Sequence, residues 1–247
     1  MLQKQGLVRT FAALACLFTW TQASASPCAA YTSPGDDFYE GTTVCFVWNT
    51  TDVDPLFGTL MGSGDNIFVL PNNFRAEATG VGGADIASAF GFIQVIAKSG
   101  FVLDGINVGE IGDYRLNGAS TSVNVSAEMQ VYDWINAGGP SSAQFLTITG
   151  PLNIQDGNIH NWSADGAVDL TTTVWDGVDH VGLSLENILT ASSNGAADSA
   201  WIQKKAIGSE ITVSIDTSPV IPVPAAAWLF ASGLGLIAAY ARRRAAS

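Results

Sequence analysis

The sequence contains few charged residues, and basic residues are especially scarce. Charged side chains make up 13% of the 247 residues, which is about half the share usual in globular proteins. Ten basic residues stand against 22 acidic ones, which gives a formal net charge of −12. Nucleic-acid binding needs Lys and Arg side chains that neutralise phosphates, so this composition excludes DNA and RNA as partners.

Residues and motifs that mark common enzyme classes are also scarce. The two histidines are His160 and His180, and the chain has no H-E-x-x-H, G-x-S-x-G or phosphate-binding glycine loop. A metal site formed by both histidines and Asp179 is one interpretation, but a pair of exposed strand histidines is favoured. A glycosidase needs only two carboxylates, and the many acidic residues single out no pair. We therefore expect no enzymatic activity, with an extracellular glycan-active hydrolase as the alternative.

The charges that are present divide the chain into three parts. All 22 acidic residues lie between Asp36 and Asp216. Half of the ten basic residues lie outside that span, namely Lys4, Arg9, Arg242, Arg243 and Arg244. The chain is therefore an acidic middle between two basic, apolar ends.

The first 25 residues have the pattern of a secretory signal peptide. Two basic residues precede an apolar run over 11–20, which is too short for the roughly 20 residues that span a bilayer. Ala23 and Ala25 then form an A-x-A cleavage site, so we expect Sec-type export and cleavage after Ala25. A buried N-terminal helix and a lipoprotein signal at Cys16 are less favoured alternatives. The apolar run continues past Cys16, where a lipoprotein would turn polar.

The other end is an apolar segment followed by arginines. Residues 220–241 carry no charge and are interrupted only by two prolines. A helix over 225–241 would measure about 26 Å, which is at the short limit for a membrane span. Basic residues beside a span stay in the cytoplasm, so the basic tail at 242–244 places the acidic middle on the far side. A permanent anchor in the envelope is the simplest interpretation.

The same segment resembles the PEP-CTERM sorting signal of Gram-negative bacteria. The resemblance covers residues 220–247 and rests on Pro222, Val223 and Pro224, the apolar helix, and Arg242, Arg243 and Arg244. Val223 departs from the family pattern, whose name implies Glu at that position. The resemblance implies transient insertion in the inner membrane and processing by the peptidase-like enzyme exosortase. It also implies a destination at the cell surface or in the matrix of bacteria that make exopolysaccharide and biofilm.

Two cysteines remain once the signal peptide is removed, Cys28 and Cys45. An even number of cysteines in an oxidising compartment predicts a disulfide. It would close a loop of about 17 residues and contribute roughly 3 kcal/mol on the chain-entropy model.

Turn dipeptides are the strongest structural signal in the acidic middle. They are Asp104-Gly105, Asn117-Gly118, Asp156-Gly157, Asp165-Gly166, Asp176-Gly177 and Asn194-Gly195. Asp-Gly and Asn-Gly favour the type I′ turns of two-residue hairpins. We therefore predict hairpins that set Ile154 opposite Ile159 and Leu103 opposite Ile106. The three turns at 156, 165 and 176 predict a four-strand antiparallel meander over 149–185.

Apolar and β-branched runs predict the remaining strands. They are Thr43–Trp48, Asn66–Leu70, Phe90–Ala97, Ser122–Tyr132, Gln144–Thr149 and Glu210–Ile215. Only 196–206 has helical character. This density of short strands predicts an all-β protein with one antiparallel β-sandwich or jelly-roll-like domain over 26–219. A signal peptide over 1–25 and a sorting helix would flank it.

Two ligand classes fit the middle weakly. Calcium takes carboxylate and amide oxygens, and a short window supplies Asp156, Asn158, Asn161, Asp165 and Asp169. The alternative is that these residues serve only in turns. A structural Ca²⁺ is the one cofactor that the sequence suggests. Aromatic faces on a β-sandwich stack on sugars, and Trp162 and Trp175 are the first candidates for contact with extracellular polysaccharide. Their alternative role is in the core.

The sequence therefore predicts an exported, exosortase-sorted protein of a Gram-negative bacterium. We expect a structural or binding role at the cell surface or in the extracellular matrix, associated with exopolysaccharide or biofilm.

Overall fold

The computed structural model describes residues 26–205 and 211–220, and these residues form β-strands joined by short turns. The predicted cleavage site, the sorting motif and the helix over 225–241 lie outside the described residues. Within the described part no helix is long and apolar enough to cross a membrane. Short 3-10 helices occupy Pro27–Tyr31, Pro55–Phe57 and Thr173–Trp175.

The described residues contain fourteen strands, β1 to β14 in chain order. They are β1 Asp36–Glu40, β2 Val44–Asn49, β3 Thr59–Ser63, β4 Asn66–Leu70, β5 Arg75–Thr79, β6 Gly83–Ala97, β7 Phe101–Asn117, β8 Thr121–Asp133, β9 Ser141–Phe145, β10 Thr147–Thr149, β11 Ile159–Asp169, β12 His180–Ser193, β13 Ser199–Lys204 and β14 Ile211–Pro219.

The strands form two antiparallel sheets, which confirms the all-β sandwich. The first sheet has six strands in the order β1-β2-β6-β12-β8-β9. The second has eight, with β10-β11-β7-β14-β4-β3 in order and β13 placed between β5 and β7. Strands β13 and β14 pair with successive parts of the same edge of β7. The long strands β6, β7, β8 and β12 therefore form the frame of the molecule.

The core lies between the sheets and follows the two-residue period of the strands. Inward rows run along the long strands, and most of the residues between them are less buried. Examples are Val181, Leu183, Leu185 and Leu189 of β12 and Ile106, Val108, Tyr114 and Leu116 of β7. Burying one large apolar side chain contributes about 1.5–3 kcal/mol, so these rows stabilise the contact between the sheets.

The predicted disulfide is confirmed. Cys28, in the first 3-10 helix, is bonded to Cys45 on β2, with their Cα atoms 5.4 Å apart. Both residues are buried beside Val47 and Ile96. The bond therefore fixes the start of the described chain to the first sheet.

The predicted strands are largely confirmed, and the one predicted helical segment is wrong. The runs predicted as strands at 43–48, 66–70, 90–97 and 122–132 lie in β2, β4, β6 and β8. The segment 196–206 instead contains β13, in which Ala200, Ile202 and Lys204 point inward and the residues between them are more exposed. That alternation is the strand period, and pairing with β5 and β7 overrides the helical propensity of the alanines.

The predicted hairpin at Asp156-Gly157 is wrong, although the dipeptide does form a turn. Gly157 has φ +75°, but residues 150–158 before β11 are not in a strand, and Ile154 is not paired with Ile159. Ile159 instead pairs with Arg115 of β7. The four-strand meander is also wrong, because β11 and β12 belong to different sheets.

Two further Asp-Gly pairs lie within strands. Asp104 lies at a register shift between β7 and β14, where Gly105 pairs with Asp216 and Leu103 pairs with Thr217. The hairpin that would set Leu103 opposite Ile106 is therefore wrong, and the dipeptide belongs to a β-bulge. Gly166 lies within β11, where an added Cβ would come 3.1 Å from Met129 Sδ. That glycine serves close packing between the sheets.

The remaining dipeptides lie in connections that change sheet. Asn117-Gly118 leads from β7 to β8, and Asn194-Gly195 leads from β12 to β13. Asp176-Gly177 precedes β12, with Gly177 at φ +79°. The sequence thus located turns here, but the partners of the flanking strands are set by the packing of the two sheets.

Candidate functional site

A row of aromatic side chains lies on the outer face of the six-stranded sheet. Three neighbouring strands place it there, since Ser184 of β12 pairs with Phe92 of β6 on one side and with Gln130 of β8 on the other. One step along, Gly182 lies between Gln94 and Tyr132. Residues two apart on a strand share a face, so Phe90 joins Phe92.

The rings in this aromatic row are close enough to form one surface. The ring centroids of Phe92 and Trp134 are 5.1 Å apart and nearly stacked, and those of Phe92 and Tyr132 are 6.1 Å apart. Trp134 continues to His180 at 6.0 Å, and His180 to Tyr31 at 5.9 Å. Large apolar rings are usually packed inside, so this row on the outer face of the sheet is the candidate site.

The exposed members of the row are Phe90, Trp134 and Tyr31. Their exposed fractions are 52%, 40% and 44%, whereas Phe92 is largely covered by its neighbours. Tyr132 lies across β12 because Gly182 leaves room for it. A Cβ at Gly182 would come 2.5 Å from the Tyr132 ring.

Asp133 holds the loop that carries Trp134. Its carboxylate accepts hydrogen bonds from the backbone N–H groups of Ile135 and Asn136, at 2.9 and 3.0 Å, and from the Asn136 amide at 2.8 Å. These bonds lower the pKa of Asp133, the Asn136 side-chain bond most strongly. The ionised carboxylate therefore fixes the loop and with it the indole of Trp134.

Burial shifts the pKa values of two further groups in the row. It lowers the pKa of His180, against the opposing charges of Asp179 and Asp133. The Nε2–H of His180 donates to Gln94 Oε1 at 3.0 Å. Burial also raises the pKa of Tyr132. Both side chains are therefore neutral near pH 7, and the face of the row stays uncharged.

Two shallow clefts border the row and share Phe90, Tyr132 and Trp134. Each has a volume of about 610 Å³. One is lined further by Gln130, Asp133, Ile135, Asn136, Ala137, Gly139, Pro140, Ser141 and Ser184, and the other by Thr51, Asp52, Val53, Asp54, Pro55 and Phe92. Amides and hydroxyls therefore stand beside the rings, and the charges in both linings are negative.

The structure places the predicted glycan-contact residues Trp162 and Trp175 in the core instead. Their exposed fractions are 2% and 6%. Trp162 is on β11 and packs against Gly112, and Trp175 ends a 3-10 helix. Neither indole presents a face to a ligand, which agrees with their alternative role as core residues.

The five predicted calcium residues do not surround one point. Asp156 and Asn158 are in the turn before β11, and their side chains bond to each other at 3.0 Å. The other three lie along β11, where the strand rise puts Asn161 and Asp169 about 26 Å apart. One Ca²⁺ holds its ligands within about 2.3–2.6 Å. Calcium binding stays a prediction, which melting with and without EDTA would test.

The two histidines are on different sheets and have different neighbours. His160 of β11 is 2.8 Å from Asp156, and His180 begins β12. Residues 26–205 and 211–220 contain no group of three or more His, Cys, Asp or Glu arranged to hold a metal ion.

Sequence reasoning missed the aromatic row. A signal was present, because Phe90 and Phe92 are two residues apart on β6 and therefore share one face. Trp134 follows Tyr132 by the same spacing, one residue after β8 ends. Which face of a strand is exposed depends on which face the second sheet covers, and the residues of that sheet are distant in the sequence.

Comparison with known proteins assigns no family. No known protein family matches the sequence, and no curated protein matches it. One solved structure with some likeness, titled "Structure of infectious bursal disease virus Gx strain", is 7% identical in sequence. The match covers 74% of this chain and 53% of that one, about half its length, with a TM-score of 0.19. A likeness at that level supports no statement about function.

Proposed function

We propose that this protein is exported and binds neutral polysaccharide at the cell surface or in the extracellular matrix. The observation that carries the proposal is the aromatic row on the outer face of the six-stranded sheet, in which Phe90 and Trp134 are exposed and Phe92 and Tyr132 pack beside them. Sugar rings present apolar C–H faces that stack on aromatic rings, while their hydroxyls bond to nearby polar groups.

The polar groups beside the rings fit hydroxyl recognition. Gln130 and Ser184 lie next to each other across two strands, and the Gln130 amide donates to Ser141 Oγ at 3.2 Å. Such groups can exchange their hydrogen bonds for bonds to a sugar. The acidic residues Asp52, Asp54 and Asp133 also line the clefts, so an anionic polymer would be repelled. The preferred ligand is therefore uncharged.

Gel retention tests the binding. The purified protein is run in native gels that contain neutral or acidic polysaccharides, together with Trp134→Ala and the matched control Phe145→Ala. Phe145 is 69% exposed but lies outside the row. We expect at least one neutral polymer to retard the wild type and the Phe145 variant but not the Trp134 variant. Equal retardation of all three proteins would contradict the proposal.

The same polymers separate binding from hydrolysis. The alternative is a glycan-active hydrolase that uses carboxylates lining the clefts. Asp133 is engaged by the 134–136 loop, and Asp54 accepts a bond from the Leu56 N–H at 2.8 Å. We therefore expect retention without release of reducing ends. Release that is lost in an Asp52→Asn variant would favour the hydrolase.

The proposed route follows from the two ends of the chain. The Sec machinery would export the protein and cleave after Ala25, and exosortase would remove the tail that begins near Pro222. The disulfide supports an oxidising compartment outside the cytoplasm. The intact mass of the protein recovered from the producing cells tests this. A mass that still includes residues 228–247 would instead indicate a permanently anchored envelope protein.

A further inference from the structure

Three polar residues meet inside the apolar core, one from each of three strands. Glu110 is on β7, Lys204 ends β13, and Asn187 is on β12 of the facing sheet. The side chains of Glu110 and Lys204 are 0% exposed, and Asn187 is fully buried. The cluster therefore bridges the two sheets without contact with solvent.

Each residue interrupts an otherwise apolar inward row. Asn187 lies between Leu185 and Leu189 in the inward row of β12, and Lys204 follows Ala200 and Ile202 in that of β13. Burying an ionic group costs several kcal/mol of folding free energy. A polar triad in such apolar rows therefore calls for a role other than packing.

The carboxylate of Glu110 holds both of the other groups. Its Oε2 accepts from Lys204 Nζ, and its Oε1 accepts from Asn187 Nδ2 at 2.8 Å. The amine and the carboxamide are therefore each one hydrogen bond away from the two oxygens of a single carboxylate. Within the described residues, the carboxamide oxygen of Asn187 has no hydrogen-bond partner.

Burial of the amine favours its neutral form, whereas two aromatic faces favour the cation. Lys204 Nζ lies 5.5 Å from the centre of the Phe74 ring and 5.3 Å from that of Trp162. Burial lowers the pKa of Lys204, and Glu110 opposes this shift. Transfer of a proton from the ammonium to the carboxylate leaves a neutral amine, which is a nucleophile, beside a carboxylic acid, which is a proton donor.

We propose that Lys204 and Asn187 form an intramolecular isopeptide bond, with Glu110 as the proton-transfer group. The lone pair of Lys204 Nζ attacks Asn187 Cγ. Glu110, which begins as the carboxylic acid, first gives its proton to Nδ2 and then takes one from the attacking nitrogen. The Cγ–Nδ2 bond breaks, one ammonia leaves, and a new amide joins Nζ to Cγ. No oxidant is needed, and Glu110 ends the reaction as the acid.

Such a bond would join the two sheets covalently. It would close the chain between β12 and β13, whereas the disulfide ties only the first 3-10 helix to β2. Unlike the disulfide, it resists reduction. A protein held outside the cell gains from a crosslink of this kind, because its unfolded state is constrained whatever the redox conditions.

Mass spectrometry of the full chain, expressed and folded, tests the proposal. The intact mass should be lower by one ammonia, about 17 Da. Chymotrypsin cuts after Leu189 and Trp201, between the two residues. We therefore expect a branched peptide in which the segments containing Asn187 and Lys204 are joined. Recovery of both segments as separate, unmodified peptides would overturn the proposal.

Variants show that the bond depends on these groups. Lys204→Arg retains a cation but no nucleophilic amine, and Glu110→Gln removes the proton-transfer group, so both should lack the branched peptide. Lys205→Arg, at the next residue, is the matched control and should keep it. Loss of ammonia can also arise from succinimide formation at Asn117 or Asn194, each followed by Gly. Succinimide formation gives only linear peptides. A wild-type protein that has lost ammonia but yields only linear peptides would therefore contradict the proposal, and this result does not depend on whether the variants fold.

Discussion

At the scale of single residues, position on a strand decides what each tryptophan does. Trp134 follows the outward row of β8 and is partly exposed, whereas Trp162 is on β11 with its indole in the core. Both tryptophans lie in or beside sequence that predicts a strand. Residue type alone therefore could not tell the exposed tryptophan from the buried one. The proposed binding role therefore moves from Trp162 and Trp175 to Trp134 and its aromatic neighbours.

His180 makes a prediction about pH. Because burial lowers its pKa below the ordinary 6.5, the unfolded chain takes up a proton before the folded chain does. Its contribution to stability is therefore complete above about pH 6.5 and is lost as the pH falls through the lower folded pKa. Urea unfolding between pH 7.5 and about 5 should show this loss in the wild type and a flatter profile in His180→Gln. Equal pH dependence in both proteins would contradict the assignment.

At the scale of elements, the close contact of β7 with β11 and β13 depends on a glycine. A Cβ at Gly112 would come 2.3 Å from both the Trp162 ring and the carbonyl oxygen of Gln203. Gly112→Ala should therefore lower the free energy of unfolding by about 1–3 kcal/mol through overpacking. Gly138→Ala is the matched control, since nothing lies within 4 Å of that position. Similar denaturation midpoints for the two variants would show that the strands adjust without cost.

The disulfide makes a second prediction at this scale. It closes a separation of 17 residues, so replacing Cys28 and Cys45 by Ser should lower the free energy of unfolding by roughly 3 kcal/mol. Guanidinium denaturation measures the change. A reductant should destabilise the wild type by a similar amount and leave the double variant unaffected. If the reductant also destabilised the double variant, the loss of stability could not be assigned to this disulfide, which would contradict the prediction.

Strand positions could be predicted from the sequence, but their partners could not. Runs such as 43–48 and 66–70 are rich in β-branched and aromatic residues, and they coincide with β2 and β4 to within one residue. Asp165-Gly166 looked like a hairpin turn, yet it lies within β11 because pairing with β7 continues past it. Sheet pairing depends on contacts between distant residues, and a dipeptide carries no information about them. The row of rings was missed for the same reason.

At the scale of the whole molecule, the negative charge belongs to the acidic middle of the chain. Without residues 1–25 and 220–247, five basic residues remain against 22 acidic ones, a net charge of −17. Of these five, Lys204 is buried against Glu110, so it does not moderate the surface charge. The domain should therefore stay soluble and repel acidic polymers, which fits a surface that binds neutral sugars.

Calorimetric titration of the mature protein with neutral hexasaccharides, among them cellohexaose and mannohexaose, tests the central claim most directly. Losing one aromatic stacking contact costs about 0.5–1.5 kcal/mol, or up to roughly tenfold in affinity. We predict that at least one sugar binds the wild type and Phe145→Ala equally and binds Trp134→Ala several-fold more weakly. Failure of the whole panel to bind, or unchanged affinity in the Trp134 variant, would contradict the proposed function.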